Sequence, residues 1–487
     1  MMATPPADLS ALEARLRQDL QWLSLPARRW VPASARGDVL DTAIVGGGMA
    51  GLALAASLTH VGVQARIFDR APAGFEGPWV TTARMETLRS PKELTGPSLG
   101  LPALTFRAWF EAQFGLAAWE ALDKIPRLQW AEYLRWYRQV LGLDLRNRQQ
   151  VRAVCPRADG LVQLDMVDDA DGGSAYQVLA RHVVLATGRD GLGGPWVPDW
   201  AHTLPRDRWM HSSDVWEGAA LRGLRVAVIG GGASAMDAAA TALESGAARV
   251  DLLIRRHDLP RINKGKGAGS PGMAHGFWTL PDVWKWRFRH YINAQQVPPP
   301  HGSTLRVSRH PNAFFHLAAP VLQVARRDDG VLRVDTAKGA LAADRLILCT
   351  GFRSDWALRP EFAAFARHVR LWQHRYAPPD GERDAELDGS PDLGPLFEFQ
   401  EQSPGACPGL ARIHCFNYAA TLSHGAATGD IPQISNGAQR LARGLAAQLL
   451  AEDVALHFDA MQRYAEPELD GDEWTPAVFP AYDEGGT

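Results

Sequence analysis

The chain has few cysteines, and none stands in a redox or metal-binding spacing. Its 487 residues include four, at Cys155, Cys349, Cys407 and Cys415, and no two of them form a C-x-x-C or C-x4-C pair. Dithiol redox chemistry needs two cysteines close together, so the sequence argues against an enzyme that reduces disulfides. The 15 histidines also lack metal-ligand spacing, and we expect no metal.

Excess charge of one sign and long apolar runs are also missing. A net charge of −3 gives no electrostatic reason to expect nucleic acid or an anionic membrane as a partner. No apolar run is long enough to span a bilayer, and the first residues do not read as a signal peptide. We therefore expect a cytoplasmic protein that acts on a small molecule. Its oligomeric state stays open.

What the chain does have is the same glycine turn twice. Each turn follows a short apolar run and precedes an Ala-rich helical pattern. The first glycine of such a turn permits the tight bend, the second lets a pyrophosphate approach the backbone, and the last small residue lets the helix pack on the strand. The amides at the helix N-terminus then point at the phosphates. The residues in these roles are Gly46, Gly48 and Gly51 in the first unit, and Gly230, Gly232 and Ala235 in the second, where Ser234 is a further candidate for binding the nucleotide.

The end of the next strand in each unit predicts which nucleotide is bound. Asp69 follows the first unit, where an acid accepts hydrogen bonds from a ribose diol, and we place its neighbour Arg70 in the same site. Arg255 and Arg256 hold the equivalent position of the second unit, where guanidinium groups suit the 2′-phosphate of NADP(H); the alternative is a solvated strand end. The first nucleotide is NAD or FAD on this basis. Since two nicotinamides would have no mediator, FAD is the sensible pairing.

The order of these patterns predicts an α/β fold with two dinucleotide-binding domains. They are Rossmann-like and glutathione-reductase-like, and the NADP domain is inserted in the FAD domain. Two series of short β-like runs, ending in Ala186-Thr-Gly188 and Cys349-Thr-Gly-Phe352, predict a meander after each unit. The predicted bounds are an N-terminal helical extension at 1–39, an FAD-binding domain at 40–205 and 350–455, an NADP-binding domain at 206–349 with an insertion at 257–320, and a C-terminal tail at 456–487.

Several segments outside the nucleotide units also carry predictions. Helical spacing is expected at 8–24, 127–141 and 436–451, whereas 71–130 shows few regular patterns and is expected to be functional or to cover a ligand. The aromatic middle of the insertion either lines a substrate cavity or packs the insertion itself. Two lysines, Lys264 and Lys266, either reach the NADP phosphate or lie in a solvated loop. Two residues before the last helix, Gly429 and Asp430, either meet the flavin or form a plain helix entry.

These elements together resemble the class B flavin-dependent monooxygenases, which include flavin-containing, N-hydroxylating and Baeyer–Villiger enzymes. One departure concerns the fingerprint F-x-G-x-x-x-H, which flavin-containing and Baeyer–Villiger enzymes carry before the second glycine turn. In this chain His211 is kept, but Pro205 and Asp207 stand at the Phe and Gly positions. This difference argues against Baeyer–Villiger activity. The segments 84–92 and 423–425 look more like N-hydroxylases of amino acids or amines. The matching elements span 40–450 and are Gly46-x-Gly48-x-x-Gly51, Gly77-Pro-Trp79, Ala186-Thr-Gly188, Gly230-x-Gly232-x-Ser234-Ala235 with Arg255, and Cys349-Thr-Gly-Phe352.

The resemblance implies a specific chemistry. NADPH reduces FAD, the reduced flavin forms a C4a-(hydro)peroxide with O2, and one oxygen atom passes to a small molecule, with nitrogen or sulfur favoured. It also implies that Trp79 and the turn at Thr187 and Gly188 lie near the flavin. His211 and Asn417 are candidate active-site residues, with core packing the alternative for Trp79 and His211. Two other functions stay open, an NADPH-dependent flavin oxidoreductase without oxygen insertion and a flavin-binding redox sensor without turnover.

Overall fold

The fold is known from a computed structural model, which describes residues 8–34 and 36–479. The helices of these residues are α1 (Leu9–Trp22), α2 (Met49–His60), α3 (Phe106–Ala121), α4 (Arg127–Val140), α5 (Ala233–Glu244), α6 (Lys264–Gly267), α7 (Pro271–Gly276), α8 (Asp282–Gln295), α9 (His301–Ser308), α10 (Ala385–Asp388), α11 (Thr421–His424), α12 (Ile434–Glu452) and α13 (Val454–Arg463). The strands are β1 (Val39–Val45), β2 (Ala65–Phe68), β3 (Leu145–Arg146), β4 (Gln149–Pro156), β5 (Val162–Asp168), β6 (Ser174–Leu185), β7 (Gly193–Pro195), β8 (Trp209–His211), β9 (Arg225–Ile229), β10 (Arg249–Leu253), β11 (Ala313–His316), β12 (Val321–Arg326), β13 (Leu332–Thr336), β14 (Gly339–Ala343), β15 (Arg345–Leu348), β16 (Phe352–Ser354) and β17 (Ile413–Cys415).

The first sheet is built around β1, in the order β3-β2-β1-β6-β5-β4, and β17 joins the end of β6. The strands β3, β2, β1, β6 and β17 run parallel, whereas β4 and β5 form an antiparallel meander with the first half of β6. The apolar β1 is covered on both faces, as a central parallel strand usually is. The small-residue helix α2 is buried almost all round because it also packs along α12.

The second sheet has five parallel strands in the order β11-β10-β9-β15-β8. Helices α5 and α9 pack together beside it, and the antiparallel β12-β13-β14 meander precedes β15. The two nucleotide units and the two predicted meanders are therefore present. The mixed α/β architecture with parallel sheets agrees with the predicted fold class.

The chain passes between the two sheets twice, and the two passages pair with each other. Strand β7 leaves the first sheet, β16 returns to it, and they form a short antiparallel ribbon in which Gly193 faces Ser354. A Cβ atom on Gly193 would lie 1.9 Å from the carbonyl oxygen of Arg353, so the two linkers approach closely only because this residue is glycine.

Three expectations from the sequence need correction. The predicted range of the insertion, 257–320, includes residues that belong to the second domain, because α9 packs on α5 and β11 is an edge strand of the second sheet. The segment 71–130 contains the 16-residue helix α3, which is broken internally at Gly115, where φ is +82°. Helix α13 crosses the predicted start of the C-terminal tail at 456. Part of that tail, and part of the N-terminal extension, lie outside the described residues.

The true insertion, about 257–300, reaches from the second domain to the first. Helix α8 buries Trp286 against Trp372, with ring centroids 6.4 Å apart, and the Trp286 indole donates to the carbonyl oxygen of Glu382 at 2.7 Å. Two further contacts are the ion pair of Asp282 with Arg375 and the packing of Phe277 against Gly425. The aromatic residues of the insertion therefore serve partly as packing, and the insertion roofs the C-terminal part of the first domain.

Candidate active site and nucleotide seats

The first glycine turn has the geometry that a pyrophosphate seat requires. Gly46 has a φ of +108°, and Cβ atoms on Gly46 and Gly51 would lie 2.4 Å and 2.0 Å from backbone oxygens. The same atom on Gly48 would meet only the Cα atom of Gly77, at 3.7 Å. The tight bend and the close helix packing therefore both need glycine, while the space above Gly48, the N-cap of α2, is open to a phosphate.

Asp69 lies beside this turn at the end of β2. Its carboxylate accepts hydrogen bonds from the backbone N–H groups of Gly47 at 2.6 Å and Ala71 at 2.7 Å. Burial raises the pKa of Asp69, and these two hydrogen bonds oppose that rise. The side chain is only partly enclosed and Arg70 is exposed. The position fits a ribose diol that would bond the remaining acceptor sites of the carboxylate.

The second glycine turn repeats the first. Gly230 has a φ of +136°, and its Cβ atom would lie 2.6 Å from the carbonyl oxygen of Cys349. A Cβ atom on Gly232 would meet nothing within 4 Å, and Gly232 and Ser234 are exposed at the start of α5. The second turn is thus packed against the backbone at Gly230 as the first is at Gly46. The space next to Gly232 is more open than the space next to Gly48.

The predicted 2′-phosphate residues follow β10 at the edge of this second seat. Arg255 is exposed, whereas Arg256 is half-buried and donates to the carbonyl oxygen of Ala294 at 2.9 Å. Lys264 is half-buried at the start of α6 and Lys266 is exposed. Arg255 is consequently the arginine whose donors are most available to a ligand.

The loop with Gly77 and Trp79 covers the first glycine turn. The Trp79 ring meets the edge of Trp130 at 6.3 Å, and its buried indole N–H has no partner among the described residues. The Trp79 carbonyl oxygen accepts a hydrogen bond from Arg127. Trp79 therefore packs against the core while keeping one polar atom unsatisfied beside the FAD seat.

The turn after β6 is fastened by Asn417. Its amide donates to the carbonyl oxygen of Leu185 at 3.2 Å and to Thr187 Oγ1 at 3.1 Å, and its oxygen accepts from Ala419 N at 3.0 Å. Asn417 is fully buried, and its polar atoms hold the carboxyl ends of β6 and β17 together, which argues against the active-site role that the sequence suggested for it. Thr187 and Gly188 take their place in the turn through this contact.

His211 ends β8 at the carboxyl edge of the second sheet. Its Nδ1 lies 2.7 Å from Ser213 Oγ, and its ring meets the Phe352 ring at 5.6 Å. The ring is buried, and this burial lowers the pKa of His211. Its Nε2 has no partner among the described residues. His211 thus both packs against the linker strand β16 and retains one free nitrogen.

A cavity of about 270 Å³ lies between the insertion and α12. Its wall includes Ala427, and the adjacent Thr428 donates to the carbonyl oxygen of Asn417 at 2.7 Å. The cavity therefore adjoins the carboxyl edge of the first sheet, where ligands of open α/β sheets bind. Gly429 and Asp430, which follow, are exposed. The other residues that shape it are Ala274, His275, Asn436, Gly437, Gln439, Arg440 and Arg443.

The polar groups of this cavity are amides, an imidazole and two guanidinium groups. The residues of its wall include no carboxylate. The sequence analysis assigned no role to these polar residues. Their spacing did contain a signal, since Asn436, Gln439, Arg440 and Arg443 lie on one face of the predicted helix.

Sequence reasoning also gave no role to Arg84, which crosses between the two domains. Its guanidinium donates to the carbonyl oxygens of Ser212, Asp214 and Trp216 at 3.0, 3.0 and 3.2 Å, and it stacks 3.7 Å from the Trp216 ring centroid. Burial lowers the pKa of Arg84 to about 10, which leaves it charged at neutral pH. The FAD-side loop is thereby tied to the segment after β8.

Two glycine turns lie at the carboxyl edges of the parallel strands of two sheets, and the second sheet is inserted in the chain of the first domain. This arrangement defines the class of proteins that bind two dinucleotides. All four cysteines are free thiols. Among the described residues no helix is long and apolar enough to cross a membrane.

The comparisons with known proteins narrow this class. The family L-lysine 6-monooxygenase/L-ornithine 5-monooxygenase matches residues 105–287. An FAD-dependent urate hydroxylase of Xanthomonas campestris is 40% identical over 472 residues, covering 96% of this chain and 98% of the relative. Ornithine hydroxylase from Pseudomonas aeruginosa has a TM-score of 0.66 at 18% identity, covering 84% and 100% of the two chains. The ornithine N-hydroxylase of Kutzneria sp. 744, solved with reduced FAD, NADP+ and L-ornithine, has a TM-score of 0.64 at 18% identity, covering 84% and 99%.

The chain belongs to the class B flavin-dependent monooxygenases. The predicted cofactors, FAD and NADPH, and the predicted monooxygenase activity are confirmed. The two other functions that the sequence left open give way to this one. The solved structures, at 18% identity, add the shared fold.

Proposed function

We propose that this monooxygenase hydroxylates a planar, anionic nitrogen heterocycle of the urate type. The observation that carries the proposal is the 40% identity with an FAD-dependent urate hydroxylase over nearly the whole of both chains. No long insertion or missing domain separates the two proteins, since each is covered almost completely. The substrate is thus a small molecule, and the predicted cytoplasmic location stays a prediction.

The cavity that lies between α7 of the insertion and α12, called the α7–α12 cavity below, has a charge that supports the same substrate class. A primary amine is a cation at neutral pH and would need a carboxylate, which the cavity wall does not offer. Arg440 and Arg443 suit an anion instead. The side chains of Asn436 and Gln439 each offer both a donor and an acceptor, which matches the alternating N–H and C=O groups of a lactam ring.

The nucleotide seats have distinct roles in this proposal. FAD is held by Gly46, Gly48, Gly51 and Asp69, and its ring, when bound, supplies the chemistry of hydride acceptance and oxygen activation. The protein does the rest by binding and by excluding water. The residues proposed to complete this seat are Arg70, Trp79, Thr187, Gly188, Gly429 and Asp430.

NADPH is held at the second glycine turn by Gly230, Gly232 and Ser234, with Arg255 and Arg256 at the 2′-phosphate. His211 is proposed to contact this nucleotide through its unpartnered Nε2. No general acid or base is assigned to Asn417, whose polar atoms are already used by the backbone and Thr187.

The test is turnover of urate by the purified holoenzyme. We expect NADPH, O2 and urate to disappear in equal amounts and the first product to carry one additional oxygen atom by mass spectrometry. Labelled O2 and NMR of the product identify the ring atom that receives it. NADPH oxidation that urate does not accelerate, with all the oxygen recovered as hydrogen peroxide, would contradict the proposal.

A second candidate is N-hydroxylation of an amine, which the match of residues 105–287 to the lysine and ornithine monooxygenase family favours. Ornithine, lysine and cadaverine in the same assay separate the two functions. Hydroxylamine formation from one of these amines, without oxygenation of urate, would establish the second function in place of the first.

A further inference from the structure

Arg440 is held in place by aromatic rings and a histidine. Its Nη2 donates to His424 Nδ1 at 2.8 Å. The guanidinium carbon lies 4.9 Å from the Trp278 ring centroid and 4.5 Å from that of Phe397. Trp278 belongs to the insertion and Phe397 to the first domain. The side chain is therefore fixed where the two domains meet over the cavity.

The hydrogen bond from Arg440 to His424 does not neutralise the guanidinium. His424 Nε2 lies 3.0 Å from the carbonyl oxygen of Gly394 and donates to it, which leaves Nδ1 as an acceptor for Arg440. Burial lowers the pKa of His424 well below its ordinary value, and the nearby Arg440 lowers it further. A neutral acceptor orients the guanidinium while leaving its positive charge in place.

Among the described residues Arg440 takes part in no ion pair within 4 Å, and Glu398 is the acidic group that acts on its charge. The buried Nε of Arg440 also lacks a hydrogen-bond partner there. The carboxylate of Glu398 is already bonded to the backbone N–H of Leu396 at 2.7 Å. Arg440 is half-buried and lines the cavity, and a guanidinium without a carboxylate partner is costly there unless a ligand offsets its charge.

We infer that Arg440 is the substrate's anion receptor, which binds the negatively charged edge of a planar heterocycle in the α7–α12 cavity. The fork of a guanidinium matches adjacent oxygen and nitrogen acceptors of such an edge. The amides of Asn436 and Gln439 then bind the remaining ring edges, and Arg443 adds positive charge nearby. The identity of the oxygenated substrate rests on the proposed function, but the anion binding itself does not.

The test measures equilibrium binding to the oxidised holoenzyme without NADPH. Two probes are used, urate and oxonate, a planar anionic triazine, and binding is followed by calorimetry and by the flavin spectrum. Arg440→Gln is expected to weaken both probes about 10- to 100-fold, because a charge-assisted hydrogen bond is lost. Arg440→Lys keeps the charge without the fork and should fall between the two. The control is Arg463→Gln, an exposed arginine of α13, which should bind like the unmodified protein.

Folding is separated from recognition by the flavin content and thermal midpoint of each variant. In turnover, the KM for urate should rise at least tenfold while kcat changes by less than about threefold. Unchanged Kd and KM in Arg440→Gln, or no binding of either anion by the unmodified protein, would overturn the inference. Anion binding that depends on Arg440 without oxygenation of urate would instead reject the proposed function and leave the inference standing. If the protein oxygenates urate but the Arg440→Gln variant binds it equally well, the inference about Arg440 is rejected and the proposed function stands.

Discussion

A methyl group on Gly46 would lie 2.4 Å from the carbonyl oxygen of Ala186. The first glycine turn is therefore pressed against the end of β6, and the positive φ of Gly46 adds backbone strain to any substitution. We expect Gly46→Ala to abolish FAD binding, because the turn must move out of the space that brings the helix amides to the pyrophosphate. The measurement is the flavin-to-protein ratio after purification.

Two other glycines provide the controls for this prediction. Gly230 has the equivalent position in the second turn, and Gly302 lies where a methyl group meets no neighbour. In Gly230→Ala the clash is with Cys349 O, at 2.6 Å, so the variant should retain FAD but lose rapid flavin reduction by NADPH. Gly302 lies in α9 with nothing within 4 Å of its Cβ position, and Gly302→Ala should leave both nucleotides bound. Full flavin occupancy in Gly46→Ala would refute the assignment of that turn as the FAD seat.

The nucleotide units were predictable because their requirements are local. A turn such as Gly46–Gly51 must carry glycine whatever surrounds it, and Asp69 lies at a fixed distance along the same β-α-β unit. The meanders were also visible as short β-like runs before each Thr-Gly turn. The fold class follows from the order of these local patterns.

The rest depended on tertiary contacts that one sequence does not display. The residues Asn436, Gln439 and Arg440 look like a solvated helix face, and only the docking of α7 turns that face into a cavity wall. Asn417 shows the opposite error. Its position in the sequence suggested an active-site role, whereas its side chain binds the backbone and Thr187 and so stabilises the fold. Helix α3 escaped notice because Gly115 breaks its periodicity.

Arg255 is expected to discriminate between the two nicotinamide nucleotides. It is exposed beside the second glycine turn, whereas Arg256 already donates a hydrogen bond to the carbonyl oxygen of Ala294. Arg255→Ala should raise the KM for NADPH about 10- to 100-fold, because a charge-assisted bond to the 2′-phosphate is lost, and should leave the KM for NADH nearly unchanged. Arg256→Ala should show the same selectivity with a smaller loss. Arg261→Ala, also exposed, is the matched control, and equal losses for both nucleotides would remove the phosphate role.

Arg84 is expected to stabilise the contact between the domains. Arg84→Met removes the donors to the carbonyl oxygens of Ser212, Asp214 and Trp216 and leaves these acceptors partly desolvated. The free energy of unfolding should fall by about 2–4 kcal/mol, as measured by urea denaturation of the holoenzyme. Arg89→Met, which loses one hydrogen bond from an exposed side chain, should cost less than about 1 kcal/mol. A similar loss for both variants would show that the Arg84 contacts are not special.

A buried chain of hydrogen bonds predicts how stability depends on pH. Arg412 donates to His182 Nε2 at 3.2 Å, His182 Nδ1 lies 3.1 Å from His414 Nε2, and His414 Nδ1 lies 2.8 Å from the carbonyl oxygen of Leu396. Donation in this direction requires both rings to be neutral. Burial, with the neighbouring positive charges, lowers the pKa of each histidine to about 3.

The folded-state pKa of both histidines thus lies below the unfolded value of about 6.5. Their contribution to stability is complete above pH 6.5 and is lost as the pH falls toward 3, because the unfolded chain takes up protons that the folded chain refuses. At pH 5 the loss should be about 2 kcal/mol for each histidine relative to pH 7.5. His182→Gln should lower stability at pH 7.5 but flatten the decline between pH 7.5 and 5, as read from urea midpoints, whereas His202→Gln, at an exposed position, should keep the full slope. An unchanged slope in His182→Gln would mean that His182 is already protonated in the folded protein.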